Sequence, residues 1–318
     1  QEKHDSAEYA DAWQHGGGPM WHHPAYDPET GLLFMNIGNP APDEDGGVRP
    51  GDNLYSNSIV AVDAATGKLR WYYQEVAHDL WDYDATSPAV LVEVPDSAGH
   101  MVKAVAEAGK DGFVYVLDRA TGKPIRKSAA FVPLENYMKV PTREGLIIAP
   151  GTLGGSDWSP PAFNPSTGYL YVDGNYIPMK YKLKREQLRP PAQYWGGTVV
   201  ATPGGHFGLF TAVDLGTGRI AWQARTDAPL ISGAIATAGG LVFTGTSDNH
   251  FDAFNARTGK LLWSYKAPAA INAPPITYAI DGRQYVAVAA TGLQTLNTPR
   301  GDALLVFALP PAAETAAQ

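Results

Sequence analysis

The stretch Ala61-Val62-Asp63-Ala64-Ala65-Thr66-Gly67-Lys68-Leu69-Arg70-Trp71 decides the fold, because the chain writes it four times. It returns as Val116-Leu117-Asp118-Arg119-Ala120-Thr121-Gly122-Lys123. It returns again as Ala212-Val213-Asp214-Leu215-Gly216-Thr217-Gly218-Arg219-Ile220-Ala221-Trp222, and as Ala253-Phe254-Asn255-Ala256-Arg257-Thr258-Gly259-Lys260-Leu261-Leu262-Trp263. Each copy reads as a hairpin. A short apolar strand ends at Asp or Asn, whose side chain bonds nearby backbone amides. Thr-Gly then reverses the chain, the glycine being free to take a positive φ. A second strand follows, and its Trp is placed to pack between neighbouring sheets. The copies lie roughly 40 to 95 residues apart, the wider gap holding insertions. Periods of about 40–50 residues mark propeller blades.

A second kind of hairpin alternates with the first. Tyr26-Asp27-Pro28-Glu29-Thr30-Gly31-Leu32-Leu33-Phe34 and Phe163-Asn164-Pro165-Ser166-Thr167-Gly168-Tyr169-Leu170-Tyr171 are two instances. The segments 236–243 and 278–285 serve the same role. Pairing the two kinds predicts four-stranded antiparallel blades near 17–74, 86–131, 157–225 and 231–267. A fifth, near 273–309, offers only three strands. The expectation is an all-β propeller domain over 1–309 that forms part of a ring, followed by a frayed, Ala-rich, disordered tail over 310–318. A complete five-bladed ring is the alternative. The insertions at 131–156 and 176–194 read as lids or partner surfaces.

Composition agrees with many short strands and tight turns: 34 Gly, 26 Pro and 11% aromatic residues in 318, with only 18% charged. The net charge is −8 and no basic stripe stands out, which argues against nucleic acid as a partner. The densest basic stretch, residues 180–189, reads as a solvated loop. With no cysteine, thiol catalysis, Cys-ligated zinc and disulfides are excluded. No apolar run approaches the ~18 residues of a membrane helix. The chain opens on Gln1-Glu2-Lys3-His4 with no visible signal peptide, so either a leader has been removed or this is not the natural start.

Three segments stand outside the repeats: Gly16-Gly17-Gly18-Pro19-Met20-Trp21, Gly38-Asn39-Pro40-Ala41-Pro42 with Arg49-Pro50-Gly51-Asp52-Asn53, and His78-Asp79-Leu80-Trp81-Asp82-Tyr83-Asp84. Taken singly, each has an ordinary reading. Asn39 caps a turn before Pro40, Trp21 is core, Asp82 and Asp84 are loop carboxylates, and Lys110 before Asp111-Gly112 is a surface lysine. His15, His22, His23 and His78 show no metal-ligand spacing, and the Gly-Gly pairs are turn chemistry rather than phosphate loops.

Together, in this order and spacing, the segments closely resemble the quinoprotein methanol and ethanol dehydrogenases, and the resemblance covers essentially the whole chain. It implies an eight-bladed propeller enzyme of the bacterial periplasm, of which this chain is a C-terminal portion. It implies pyrroloquinoline quinone (PQQ) and a Ca²⁺ or lanthanide ion as cofactors. Asn39 matches a metal ligand, and Asp82 matches the catalytic base, itself at the metal. Trp21 matches the residue lying flat beneath the PQQ ring, and Lys110 matches the cation touching the quinone oxygens. Asp157-Trp158 matches a segment on the far side of the cofactor. Asp84, two residues beyond Asp82 and on the same side of an extended chain, adds a carboxylate that suits a lanthanide, although related calcium enzymes share the pattern. The implied reaction oxidises a primary alcohol by hydride transfer to the quinone, with a small alcohol as substrate and a periplasmic cytochrome c as electron acceptor. A Glu metal ligand, an adjacent-Cys disulfide and several PQQ contacts of full-length members have no counterpart here. The chain is therefore expected to need a second chain to complete the ring, or to be an inactive fragment. The alternative is a non-catalytic scaffold that shares the repeat.

Overall fold

The computed structural model describes residues 12–189 and 194–309. The opening Gln1-Glu2-Lys3-His4 and the tail at 310–318 lie outside the described residues. No α-helix occurs among the described residues, only short 3-10 turns between strands.

The first sheet joins β1 (Ala25–Asp27), β2 (Leu32–Ile37), β3 (Ser58–Asp63) and β4 (Leu69–Gln74) in that order, all antiparallel. The second joins β5 (Val90–Pro95), β6 (Met101–Ala108), β7 (Val114–Asp118) and β8 (Pro124–Lys127). The third takes β10 (Ala162–Asn164), β11 (Tyr169–Tyr176), β14 (Phe207–Asp214) and β15 (Ile220–Thr226). The fourth takes β16 (Ala234–Ala236), β17 (Leu241–Gly245), β18 (His250–Asn255) and β19 (Leu261–Lys266). A fifth has three strands, β20 (Ile276–Ile280), β21 (Arg283–Ala290) and β22 (Ala303–Ala308). The expected sheets are all present, the recurring phrase joining the third and fourth strands in the first four and the fifth having three strands.

Cores lie between consecutive sheets. Phe34, Ile59 and Trp71 of the first meet Val105 and Leu117 of the second. Val92, Ala104 and Val116 of the second meet Leu170, Val172 and Val213 of the third. Tyr171 and Phe210 meet Val242 and Phe254, and Phe251 meets Val286 and Val288. This face-to-face stacking of small antiparallel sheets is propeller architecture.

The recurring phrase explains the stacking. In all four copies the pairing of third and fourth strands slips by one residue, so that Ala61 opposes Trp71 while Val62 opposes Leu69. This bulge re-aims the last strand's side chain toward the next sheet. Trp71 lies on Gly122 of the second sheet, and its indole N–H donates to the Arg119 carbonyl at 3.1 Å. Trp222 repeats the contact on Gly259 and the Ala256 carbonyl at 3.0 Å. Where the second copy has no Trp, Arg126 lays its stem on Gly218 and donates to the Leu215 carbonyl at 2.8 Å.

Gly122 thus meets two demands, a φ of +70° and an indole 2.5 Å from where a Cβ would sit, whereas Gly67 has φ +67° and nothing within 4 Å. Gly67→Ala is expected to cost about 1 kcal/mol of left-handed strain. Gly122→Ala is expected to cost ~2 kcal/mol more, because the sheets must part. Urea midpoints of the two variants check the difference.

The insertions form a sixth sheet outside the repeat. In it β12 (Met179–Leu183) pairs with β9 (Leu146–Ile148) on one side and β13 (Gly197–Ala201) on the other. The stretch read as a solvated loop therefore begins as a strand. Met179 and Tyr181 are buried while Lys180 and Lys182 face outward, an alternation hidden in the sequence by the basic run that follows. The inner face packs Ile148, Met179 and Tyr181 on Leu80, Trp81 and Tyr83.

Candidate active site

Three loops converge beside this sixth sheet. The first leaves β2 at Gly38-Asn39. A side chain at Gly38 would meet the Asp84 carboxylate at 2.5 Å and the Trp21 indole nitrogen at 2.9 Å, so only glycine lets these groups approach. Arg49, 3% exposed, staples this loop to the next: its guanidinium donates to the carbonyls of Pro42, Asp43 and Asp79, and to Asn53 Oδ1.

The second loop is the strap 78–84. Asp79, 1% exposed, organises it by accepting the N–H groups of Trp81 and Tyr83 and the Asn57 amide, each at 2.9 Å. The turn so formed holds Asp82 at φ +62°, a conformation that non-glycine residues adopt mainly where surrounding contacts enforce it. From outside, the Tyr181 hydroxyl donates to the Trp81 carbonyl at 3.0 Å, and the Glu44 N–H donates to the Trp195 carbonyl at 2.9 Å. The sixth sheet thus clamps the strap and the loop at 39–45 together.

The third loop follows β6 and carries Lys110, 5% exposed. Its Nζ lies 2.7 Å from Asp84 Oδ2, 3.2 Å from Asp82 Oδ1 and 3.9 Å from Asp157 Oδ1. The other Asp84 oxygen accepts the Asn39 N–H at 2.6 Å. Gly154 lies flat on the Lys110 stem, and the Gly155 N–H donates to the Lys110 carbonyl at 2.6 Å. The Gly-Gly pair read as plain turn chemistry is what allows this approach.

The structure therefore gathers Asn39, Asp82, Asp84, Lys110 and Asp157, residues spread over more than a hundred positions of sequence. Trp21 stands at their edge, 54% exposed, and is not core. Trp158 is half-buried and meets the cluster by donating its N–H to the Asp157 carboxylate. His78 is engaged with the Gly51 carbonyl at 2.6 Å, and His22 and His23 pack edge to face.

The cluster is electrostatically divided. Burial pushes Asp82 well above the ordinary carboxyl range, with Lys110 opposing. Burial would raise Asp84 as well, but Lys110, a hydrogen bond shared with Asp82 and the Asn39 N–H outweigh it and hold Asp84 below its usual value. Burial alone would lower Lys110; the three carboxylates outweigh it and push the ammonium up. Burial raises Asp157 to about 6 and Asp43 to about 7, the latter also repelled by Asp84. Two carboxyls with divergent proton affinities against one buried ammonium are a mark of functional sites.

Residues not foreseen lie behind Lys110. Buried Glu107 and Asp111 and half-buried Glu75 form a second carboxyl group, in which Glu75 and Glu107 are hydrogen-bonded to each other and Glu107 accepts the Ser87 N–H. Asp111 Oδ2 accepts the Tyr115 and Tyr137 hydroxyls at 2.6 and 3.0 Å, and Lys127 at 3.3 Å. Asp79 and Arg49 stand in two of the segments outside the repeats, and nothing local in the sequence sets Asp79 apart from the other acids of its strap.

The comparisons agree with this geometry. The family described as "Glucose/ethanol/alcohol dehydrogenase, beta-propeller domain" matches residues 1–129 and 197–286. The quinoprotein alcohol dehydrogenase PedE of Pseudomonas putida is 35% identical over 310 residues, covering 87% of this chain and 49% of that protein. The quinoprotein ethanol dehydrogenase of Pseudomonas aeruginosa is 33% identical, covering 87% and 50%. Among solved structures, a europium-containing methanol dehydrogenase superposes with TM-score 0.86 at 31% identity, covering 95% of this chain and 62% of that one. The quinohemoprotein alcohol dehydrogenase of Comamonas testosteroni gives 0.84 at 31%, covering 92% and 48%. The chain spans about half the length of the curated relatives it matches. With a partial propeller, its Trp-on-Gly junctions and this cluster in place, the chain belongs to the PQQ-dependent glucose/ethanol/alcohol dehydrogenase family of β-propellers.

Proposed function

We propose that the chain carries part of the active site of a periplasmic, PQQ-dependent dehydrogenase that oxidises a primary alcohol to an aldehyde. The observation that carries this reading is the single ammonium of Lys110 held between Asp82 and Asp84, with the Asn39 N–H on the latter.

The donor set fits a hard cation. Asn39, Asp82 and Asp84 offer oxygen ligands, and the carboxyls around Lys110 exceed what one ammonium balances. Among the described residues no three carboxylates or imidazoles converge closely enough to hold a metal alone, so the chain supplies part of a coordination shell. The second carboxylate, Asp84, favours a lanthanide over Ca²⁺ by raising the charge of the site. The exposed Trp21 offers a flat apolar face to a fused-ring cofactor. Lys110 would reach the quinone oxygens, and Asp157-Trp158 would line the far side of the cofactor.

When bound, PQQ supplies the two-electron acceptor and the cation polarises its carbonyl. Asp82 takes the hydroxyl proton of the alcohol at its carboxylate, a task suited to a group whose proton affinity burial has raised. Lys110 donates hydrogen bonds that stabilise negative charge on the cofactor oxygens. The electrons leave to a carrier such as a cytochrome c. The relatives are about twice as long, so the proposal assigns this chain's residues only a part of the site.

The test combines binding and turnover. PQQ is added with Ca²⁺ or La³⁺, its absorbance is followed, and dye reduction is assayed with ethanol and with glucose. The expected result is metal-dependent PQQ absorbance, with ethanol turnover reduced at least ~10³-fold by Asp82→Ala. Absence of both PQQ absorbance and turnover, with Asp82→Ala unchanged from the parent, would end this reading for the chain.

A further inference from the structure

The sixth sheet is chemically unlike the rest of the chain. Its segments, residues 134–156 and 178–202, hold seven Lys/Arg against three Glu. The remainder holds 17 of the 24 Lys/Arg and 29 of the 32 Asp/Glu. A net-acidic protein has therefore concentrated positive charge on one appended element.

The register places two of these seven, Lys180 and Lys182, on the outer face of the sheet. Lys180 pairs with Ile147 on one side and Val200 on the other, and Lys182 pairs with Thr198. These side chains alternate with the buried Met179 and Tyr181, so they point away from the catalytic strap. Val200 is 63% exposed, Ile147 39%, and Val140 on the adjoining loop 61%. Neither Lys180 nor Lys182 makes an ion pair among the described residues. Lysines free of carboxylate partners and interleaved with bare aliphatic groups suit a protein contact. A nucleic acid would need a longer basic track, and a solvated face would not need the apolar rows.

We propose that this outer face is a docking surface for a small protein with a carboxylate-rich contact patch. Charge complementarity selects the partner, and the aliphatic rows supply the dry centre of the contact. That the partner is a one-electron carrier rests on the function proposed above; the location and charge of the surface do not. Because the opposite face of the same sheet holds the strap and the loop at 39–45, a partner seated here lies one sheet's thickness from the site.

The experiment uses the full chain without PQQ, titrated with an acidic c-type cytochrome at low and at physiological salt. Binding is expected to weaken at least ~10-fold with added salt. Lys180→Glu/Lys182→Glu is expected to weaken it a further ~10-fold or more, with an unchanged circular dichroism spectrum, since both side chains are exposed. Arg257→Glu, a change of two charge units against four, made in the turn between β18 and β19 of the fourth sheet, leaves it unaffected. The proposal is overturned if the double variant binds as the parent does, if Arg257→Glu weakens binding equally, or if the chain binds anionic phospholipid vesicles and not the cytochrome. Because no PQQ is present, failure here leaves the dehydrogenase reading standing, and failure of PQQ binding leaves this one standing.

Discussion

Lys110→Met is expected to destabilise the chain by about 3–5 kcal/mol, more than any other single change in the site. Lys110 is 5% exposed, and its ammonium is the common partner of Asp82, Asp84 and Asp157. Methionine fills a similar volume, so packing loss is small and the cost is electrostatic. What remains is a buried group of carboxyls with no counter-charge, each of which has lost its water. The same argument predicts a rescue. Millimolar Ca²⁺ or La³⁺ should recover much of the lost stability in the variant, because a cation bound only by the folded state shifts the equilibrium toward it. Chemical denaturation with and without the ion checks both statements. A loss below 1 kcal/mol would mean that the carboxylates do not depend on Lys110.

Glu107→Gln is expected to stabilise the chain at slightly alkaline pH and to flatten its loss of stability as pH rises. Glu107 and Glu75 are buried together. Burial raises Glu75 to about 8, with Asp111 adding repulsion, and pushes Glu107 well above its usual value, with Glu75 adding repulsion. The groups facing the pair are Asp111, Tyr73, Tyr115 and Lys127. The sign follows from the direction of the shift. A carboxyl whose folded-state pKa is raised stabilises the fold below its unfolded value of about 4.5 and loses that contribution as pH climbs through about 8. The parent should therefore weaken steadily across that window. Glutamine carries no charge at any pH in this range and donates an N–H to Glu75, so the slope should flatten. Urea unfolding at pH 5, 6.5 and 8 measures it, and parallel pH profiles for parent and variant would refute the prediction.

Much of this molecule is legible in the sequence. The Asp-x-x-Thr-Gly turns are local chemistry, fixed by an Asx side chain and a glycine, and each falls where the phrase puts it. The site segments are legible because their spacing matches a family, and the structure brings Asn39, Asp82, Asp84, Lys110 and Asp157 into one cluster. What the sequence hides is non-local. The sixth sheet pairs strands more than thirty residues apart, Ile148 with Met179, and its alternation is only five residues long in β12. Glu107 sits in an ordinary strand context and Glu75 just past β4, and only the stacking of two sheets shows that both Glu107 oxygens and Glu75 Oε1 are shut off from water. Likewise Asp79 looks like one more acid in an acid-rich strap until its two oxygens are seen gathering three donors.

The contacts that join the sheets have a consequence for how the molecule bears error. At each of three junctions the spacer is one flat layer, an indole or an arginine stem, laid on a residue that has no side chain. The thickness of that layer sets the angle between one sheet and the next at these three junctions. A lever results. A methyl group added beneath Trp71 opens the first wedge slightly, and the third, fourth and fifth sheets swing with it, the displacement growing with distance from the hinge. The largest movement then appears far from the altered atom, so the positions least able to tolerate bulk are the hinges themselves, however remote they are from the chemistry.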